Sequence, residues 1–367
     1  MYCERTHCIF CENTHFTSLF QESKHIPLGS YNTDKPYQGQ MMPINILICS
    51  KCGTGQTQYL GDLNEIYKIN HAFAFGSILN GNNKTFIDKI LKHTEVTGVI
   101  EVGAGSGILA DHFIELLEVP YTIIDPYYFG KDDKRTILRD YINNIDISNI
   151  QANTLIMSHV FEHLYEPLKL IQSIQENIEY VCINFPDLEG YVRDGTYHVL
   201  NPEHIYYIEN QFLVDVFKKY GFDCLHQSFY EGHSVHFIFK RSQPMDIVPM
   251  NLNTQSSLIQ FYQSIHEKVA KIQALIDKYP DYEKYIWPCS IHNLYLFTFG
   301  LDIQSLNGIL DNSPHKLNKY LYGTNLYCQS LNAIAQNETK KIIILNVGCF
   351  NKEVLLESNT KTQIFRV

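Results

Sequence analysis

No apolar run in this chain approaches the roughly 20 residues that a membrane-spanning helix needs. No block of lysine or arginine stands out either, and the formal net charge is −10. The first absence excludes a helical membrane anchor. The second argues against a nucleic-acid partner, which leaves a basic footprint. The opening Met1-Tyr-Cys-Glu-Arg5 lacks the pattern of a secretory signal. Ten cysteines among 367 residues are too sparse for a disulfide scaffold. These absences make the cytoplasm the expected compartment. Charged residues form only 19% of the chain and hydrophobic ones 45%, an ordinary globular balance. The length allows two or three domains with cores of their own.

Four of the cysteines are not scattered. Cys8-Ile-Phe-Cys11 and Cys49-Ser-Lys-Cys52 are two Cys-x2-Cys knuckles. Each knuckle turns two thiolates toward one point, and two knuckles complete a tetrahedral S4 site suited to Zn2+. Four thiolates leave no open coordination position, so the ion is expected to be structural. A redox pair or unrelated buried thiols are the alternatives. Gly53 follows the second knuckle, where a tight turn is useful. The strand Ile44–Ile48 leads into it. A segment this short and rich in Pro and Gly gains from a metal what it lacks in core. Cys3, His7 and His15 lie nearby without a partner at knuckle spacing.

Farther along, Gly98-Val-Ile100 reads as a buried strand, Glu101-Val-Gly103-Ala-Gly105-Ser-Gly107 as a loop, and residues 108–117 as a helix. Glycines let the backbone turn tightly and let a ligand approach the main chain. An acid at the strand's end disfavours a pyrophosphate. It suits a cofactor with a cationic amino-acid end, such as S-adenosylmethionine. The next strand, Tyr121–Ile124, ends at Asp125, 24 residues beyond Glu101. An acid there can take both ribose hydroxyls of an adenosine cofactor; a turn aspartate before Pro126 is the alternative. Residues 135–141 read as a third strand and its exit, with Asp140 and Tyr141 as adenine contacts. The strand 153–158 ends at Ser158 and runs into His159-Val-Phe-Glu-His163, at the edge where open α/β sheets bind ligands. Ser158 is counted with the cofactor contacts. Strand 180–185 follows. A helix near 84–93 precedes the loop, after a connector from Leu60 to about Gly81.

The runs Glu101–Gly107, His159-Val-Phe-Glu-His163-Leu and Glu203-His204-Ile-Tyr-Tyr-Ile resemble class I S-adenosylmethionine-dependent methyltransferases. With the tetracysteine segment before them and Gly308–Thr324 after them, the chain is similar to the deoxysugar C-methyltransferases. The nearest resemblance is to sugar C-3′-methyltransferases acting on nucleotide-linked 4-keto-6-deoxyhexoses. That likeness implies an α/β fold in three parts: a zinc-binding module and connector (1–75), a Rossmann-like methyltransferase core (76–243) and a smaller C-terminal α/β domain (244–367). It implies that His204 is the base that removes the C3 proton, with Glu203 in support. His163 aligns with another polar active-site residue, and Tyr67 lies in the connector that covers the sugar. The family has a tyrosine where this chain has Asn201. For His204 the alternative role is shaping the pocket, and for His163 it is capping. The run Glu231-Gly-His233-Ser234, before the strand Val235–Phe239, either lines the pocket or forms a strand-entry turn.

In the C-terminal part, strands are expected at 285–290, 308–311 and 341–346 after a helix from Leu258 to about Tyr279. The turn Pro288-Cys-Ser-Ile-His292-Asn293 lacks the glycines of relatives, so dinucleotide binding there is not expected. Asn312, His315 and Lys316 are candidates for contact with the nucleotide, or else surface turn residues. The expected partner is a nucleotide-activated sugar, without nucleic acid or membrane, and the expected state is a monomer. Two rival activities stay open: O- or N-methylation of a sugar, and a zinc-bearing binding protein with a relict core.

Overall fold

The computed structural model of the protein describes residues 2–20, 24–28, 32–37, 39–67, 77–174, 178–335, 339–346 and 362–367. Its central sheet has seven strands: β1 (Val99–Val102), β2 (Tyr121–Ile124), β3 (Thr136–Leu138), β4 (Thr154–Ser158), β5 (Tyr180–Pro186), β6 (Phe222–Tyr230) and β7 (Ser234–Arg241). They lie in the order β3-β2-β1-β4-β5-β7-β6. The first five run parallel, while β7 is antiparallel to β5 and to β6. The sheet is thus Rossmann-like with an antiparallel edge.

Side-chain alternation explains its burial on both sides. Ile100, Val102 and Leu155 enter one hydrophobic core, and Val99, Ile123 and Ile156 enter the other. Phe86 of helix α1 (Ser77–His93) and Phe113 of α2 (Ile108–Leu116) close one face. Phe212 and Phe217 of α3 (Asn210–Lys219) close the opposite face. Continuous apolar runs such as Leu155-Ile-Met157 need such cover, because parallel sheets expose neither face. Strand β6 alternates buried and accessible residues, as an edge strand does, and its polar pattern gives little signal in the sequence.

Helix α1 begins seven residues before the expected 84. The run Gly81-Asn82-Asn83 looks like a loop by propensity. Packing overrides that preference: Asn82 is buried, its amide nitrogen donates to Ser234 Oγ (3.1 Å) and its carbonyl oxygen lies 2.6 Å from His236 Nε2. The expected boundary at 75–76 and part of the connector lie outside the described residues. The boundary at 243–244 falls just after β7.

A second sheet is wholly parallel. Its strands are β8 (Glu283–Trp287), β9 (Gly308–Leu310), β10 (Cys328–Gln329), β11 (Lys341–Leu345) and β12 (Thr362–Arg366), in the order β10-β9-β8-β11-β12. Helix α4 (Thr254–Lys278) leads into it, and α5 (Ile291–Thr298) follows β8. The N-terminal part is not a separate bead. Its four-stranded antiparallel sheet joins Phe16–Ser18, Ile46–Cys49 and Gly55–Thr57 to a strand from far away, Tyr206–Tyr207. Residues between the two knuckles reach the second sheet's side: Asn32–Thr33 pairs with Tyr320–Leu321, and Gln40 N donates to the Tyr322 hydroxyl (2.7 Å). No helix among the described residues is long and apolar enough to cross a membrane.

Candidate active site

The glycine loop has the conformation its composition demands. Gly103, Gly105 and Gly107 have φ of +69°, +55° and +76°, a region costly to residues with a Cβ. Gly107 N donates to Ala104 O (2.8 Å) and Asp111 N to Gly107 O (2.8 Å), so the loop turns directly into α2. Asp125, just past β2, accepts from Gly105 N (2.7 Å) and Tyr127 N (2.8 Å). It therefore lies against the loop, with lone pairs left on its carboxylate. Glu101 lies within β1 and is buried; its carboxylate accepts from the Tyr121 hydroxyl (2.7 Å). Burial pushes its pKa up to about 7, although the Tyr121 hydrogen bond opposes the shift. Ser158, at the end of β4, accepts from Asn184 Nδ2 (3.0 Å). Asp140 caps the turn after β3 through Tyr141 N (2.7 Å).

Beyond β4 the chain bends sharply. His159 has φ +53°, unusual for a side-chain-bearing residue, and Phe161–His163 form a 3-10 turn. This bend gathers residues from four distant segments. His159 Nδ1 donates to Glu162 Oε1 (3.3 Å), and its Nε2 accepts from Ser234 Oγ (3.1 Å). Nε2 of His163 and Nε2 of His204 each lie 3.9 Å from the same Glu162 oxygen. His163 Nδ1 is 3.1 Å from the Tyr67 hydroxyl and 3.9 Å from Glu203 Oε2. The rings of His163 and His204 meet edge to face at 5.0 Å. All four residues expected to be catalytic thus converge. Their side chains keep an opening: His163 is 18% and His204 13% exposed, against 1% for Glu162.

Electrostatics sorts these groups. Burial would raise Glu162, but the His159 hydrogen bond and the nearby His163, His159 and His204 imidazoles outweigh it and hold the carboxylate at about 2. Burial pushes His204 down to about 4, with His163 adding to the shift and Glu162 opposing it. His204 Nδ1 must donate to its partner, the Val199 carbonyl (2.8 Å), which places the lone pair on Nε2. His233 is also driven low, to about 3, by burial.

The short segment that carries His204 is tied down on both sides. His204 N donates to Asn201 O (2.9 Å) and Ile205 N to Glu162 O (3.1 Å). Asn201 Oδ1 accepts from Glu203 N (3.0 Å), so this residue shapes the turn that presents the histidine. Tyr206 and Tyr207 then pair with Gln56 and Gly55 of the cysteine module. Phe10, inside the first knuckle, packs edge-on against Tyr206 (5.0 Å) and Phe212 (5.1 Å).

The four cysteine sulfurs lie within 4.8 Å of one another, with Cys8–Cys52 and Cys11–Cys49 at 3.5 Å. A tetrahedral S4 site with bonds of about 2.3 Å needs edges of about 3.8 Å, so the donor set fits Zn2+ with little adjustment. Both knuckles close alike: Glu12 N donates to Cys8 O (3.0 Å) and Gly53 N to Cys49 O (3.0 Å). Glu12 and Gly53 both adopt positive φ, +59° and +74°. At Gly53 a Cβ would also strike the Asn251 carbonyl oxygen. Sulfur also receives polar contacts, from Asn13 Nδ2 and Lys51 N to Cys49 (3.4 Å each).

Residues 75–227 match the family model of a methyltransferase domain. They span β1 to β5, the glycine loop and the histidine cluster. This region is similar to a methyltransferase domain. Its fold is the class I, Rossmann-like one. Solved structures similar to the chain include a putative S-adenosylmethionine-dependent methyltransferase from Listeria monocytogenes, 11% identical, covering 46% of this chain and 100% of that one, with a TM-score of 0.38. Another is the N-methyltransferase NodS from Bradyrhizobium japonicum in complex with S-adenosylhomocysteine, 9% identical, covering 50% and 94%, with a TM-score of 0.37. A third is the 1,6-didemethyltoxoflavin-N1-methyltransferase of Burkholderia thailandensis, 9% identical, covering 45% and 80%, with a TM-score of 0.36. No curated protein matches the sequence significantly.

The structure brings His159 and Glu162 into this cluster in positions that the sequence did not assign, and Ser234 of the run Glu231–Ser234 joins them. The signal for two of them was present: His159-x-x-Glu162-His163 has the residue types and spacing of a polar cluster on one turn. Ser234 enters from the start of β7, where Asn82 of α1 donates to its hydroxyl. Among the nucleotide candidates, Asn312 and His315 are exposed, while Lys316 pairs with Asp311 (2.9 Å).

The raised pKa of Glu101 has a testable sign. Between about pH 4.5 and 7 the folded, unliganded domain binds a proton that the unfolded chain releases. Stability therefore falls as pH rises through that window. Glu101→Gln removes the slope and is expected to exceed the parent at pH 8 by about 3 kcal/mol, with the difference shrinking toward pH 4.5. Denaturant unfolding at pH 5 and pH 8 reads this out; an equal difference at both pH values would contradict it.

Proposed function

We propose that this protein transfers a methyl group from S-adenosylmethionine to C3 of a nucleotide-linked 4-keto-deoxysugar, with His204 as the base. The observation that carries the reading is the tautomer of His204. Its Nδ1–H is committed to the Val199 carbonyl, and its Nε2 lone pair lies at the carboxyl edge of the sheet beside His163. A ketone at C4 acidifies the C3 proton. His204 takes that proton, and the electron pair left on C3 forms the new carbon–carbon bond. S-adenosylmethionine, when bound, would supply an electrophilic methyl whose S–CH3 bond breaks, with the electron pair leaving on the sulfur of S-adenosylhomocysteine. Glu162, ionised 3.9 Å away, stabilises the imidazolium that results. Tyr67 and His163 are the donors available to the enolate oxygen. Glu203 supports the pair through His163.

Asp125 is assigned to the ribose hydroxyls, and Gly103, Gly105 and Gly107 to the close approach of the methionine end. Ser158 is placed beside it, and Glu101 balances the cofactor's positive charge. The tetracysteine group holds a structural Zn2+ in this reading, and the three expected segments act as module, core and acceptor-covering domain.

The test uses labelled S-adenosylmethionine with dTDP-, GDP- and CDP-linked 4-keto-6-deoxysugars. The expected product carries the label on carbon and has lost its C3 hydrogen. A product methylated on oxygen or nitrogen, with C3–H retained, would replace this reading by O- or N-methylation. Deuterium exchange at C3 in D2O without methyl donor gives the same discrimination, because only an enolising enzyme exchanges it.

A further inference from the structure

We propose that Glu162, His163 and His204 form a binding site for a divalent first-row transition ion, separate from the tetracysteine group. One ligand atom from each residue lies within 4.8 Å of the others. Both histidine Nε2 atoms stand 3.9 Å from Glu162 Oε1. Around an ion with metal–ligand bonds of about 2.1 Å, neighbouring ligand atoms are about 3.0–3.4 Å apart. Side-chain shifts on the order of 1 Å would close the difference.

Three features point to a cation and not to a stray polar cluster. Glu162 Oε2 is buried and has no hydrogen-bond partner among the described residues. A fully covered carboxylate with an unused oxygen is costly, and such groups normally meet a partner, a water or an ion. Next, the histidines are oriented as ligands are. His204 Nδ1 donates to a backbone carbonyl (2.8 Å), and His163 Nδ1 faces the Tyr67 hydroxyl (3.1 Å), which accepts when the proton sits there. Both arrangements leave the Nε2 lone pairs toward Glu162, as outer partners do at metal centres. Finally, His159 donates to the Oε1 side of the carboxylate and would hold Glu162 in place as a ligand.

Two imidazoles and one carboxylate suit Zn2+, Fe2+ or Co2+ better than Mg2+ or Ca2+, which prefer oxygen-rich sets. Three protein ligands leave open positions facing the pocket, unlike the closed S4 group. His204 Nε2 can hold a proton or an ion, not both. A bound ion would therefore block the base proposed above and offer its open position to an acceptor oxygen.

The experiment uses the full-length protein equilibrated with one equivalent of Zn2+, then titrated with Co2+ and followed by visible absorption. Expected is one Co2+ per chain, with weak ligand-field bands and no sulfur charge-transfer band. Glu162→Gln and His163→Gln should each weaken binding by at least about 100-fold. Circular dichroism and S-adenosylmethionine binding show that each variant is folded. Absence of binding at millimolar Co2+, binding unchanged in both variants, or a sulfur band showing exchange into the cysteine group would overturn the proposal. The site rests on ligand geometry and not on the acceptor. Cobalt binding without C3 exchange by the metal-free protein would keep the site and remove the base.

Discussion

Cys49→Ser is expected to destabilise the protein by more than about 4 kcal/mol and to lower methyl transfer with it. Metal binding by such modules is folding free energy, on the order of 10–16 kcal/mol in small zinc peptides. Losing a ligand belongs with the largest single-residue effects. Cys49→Ser would leave three sulfurs, two of them on buried cysteines, facing one another without the ion proposed to organise them. The loss should reach the active site by a traceable route. Phe10 of the first knuckle packs on Tyr206, and Tyr206–Tyr207 forms the last strand of the module's sheet. His204 lies two residues before that strand. Thermal unfolding and turnover of Cys49→Ser should fall together, and a chelator acting on the parent should reproduce both. Cys3, exposed and outside the group, gives the control: Cys3→Ser should stay within about 0.5 kcal/mol of the parent. A Cys49→Ser protein with unchanged melting and zinc content would remove the structural metal.

His204→Gln is expected to lower turnover by about 10²–10⁴-fold while leaving S-adenosylmethionine affinity within about twofold. The glutamine keeps much of the volume and removes the lone pair. The readouts are C3 exchange and product formation, with calorimetry on the cofactor as the check on folding. The pH profile supplies a second sign. Burial holds His204 at about 4, so the base is neutral above that pH and becomes protonated below it. The acid limb of kcat/KM set by this group should therefore lie near pH 4, well below the ordinary histidine range. Unchanged turnover in His204→Gln would mean that another group takes the proton, and would point to His159 or His233.

Much of the donor half was legible along the chain. The knuckles, the glycine loop and Asp125 are local patterns, and each closes on itself. Gly107 bonds back to Ala104, Gly53 to Cys49, and Asp125 to Tyr127 two residues on. Short-range bonds of this kind hold wherever the segment is placed, so residue type and spacing suffice to find them. Strands β1, β2, β4 and β5 were legible for a related reason. A strand buried on both faces must be apolar throughout, whatever its neighbours are.

What escaped the sequence depends on distant partners. The start of α1 was hidden because Asn82 looks like a loop residue until Ser234 and His236 stand opposite it. Strand β6 lies at a sheet edge and its residues do not alternate polar with apolar, since Leu225 and Phe229 are on its exposed side, so only pairing with β7 defines it. Tyr206–Tyr207 gave no sign that it completes the cysteine module's sheet, because its partners lie about 150 positions earlier.

The sequence by itself determined a glycine-rich loop and two cysteine knuckles, since each is written in adjacent residues and in the conformations those residues allow. Only the tertiary structure decided the polar cluster to which the acceptor is assigned. Tyr67, Glu162, His163, Glu203, His204 and Ser234 meet through sheet pairing and a left-handed bend at His159. It also decided their chemistry. Burial and mutual charge, not residue type, leave Glu162 ionised and His204 neutral, and a carbonyl from Val199 chooses which nitrogen faces the pocket.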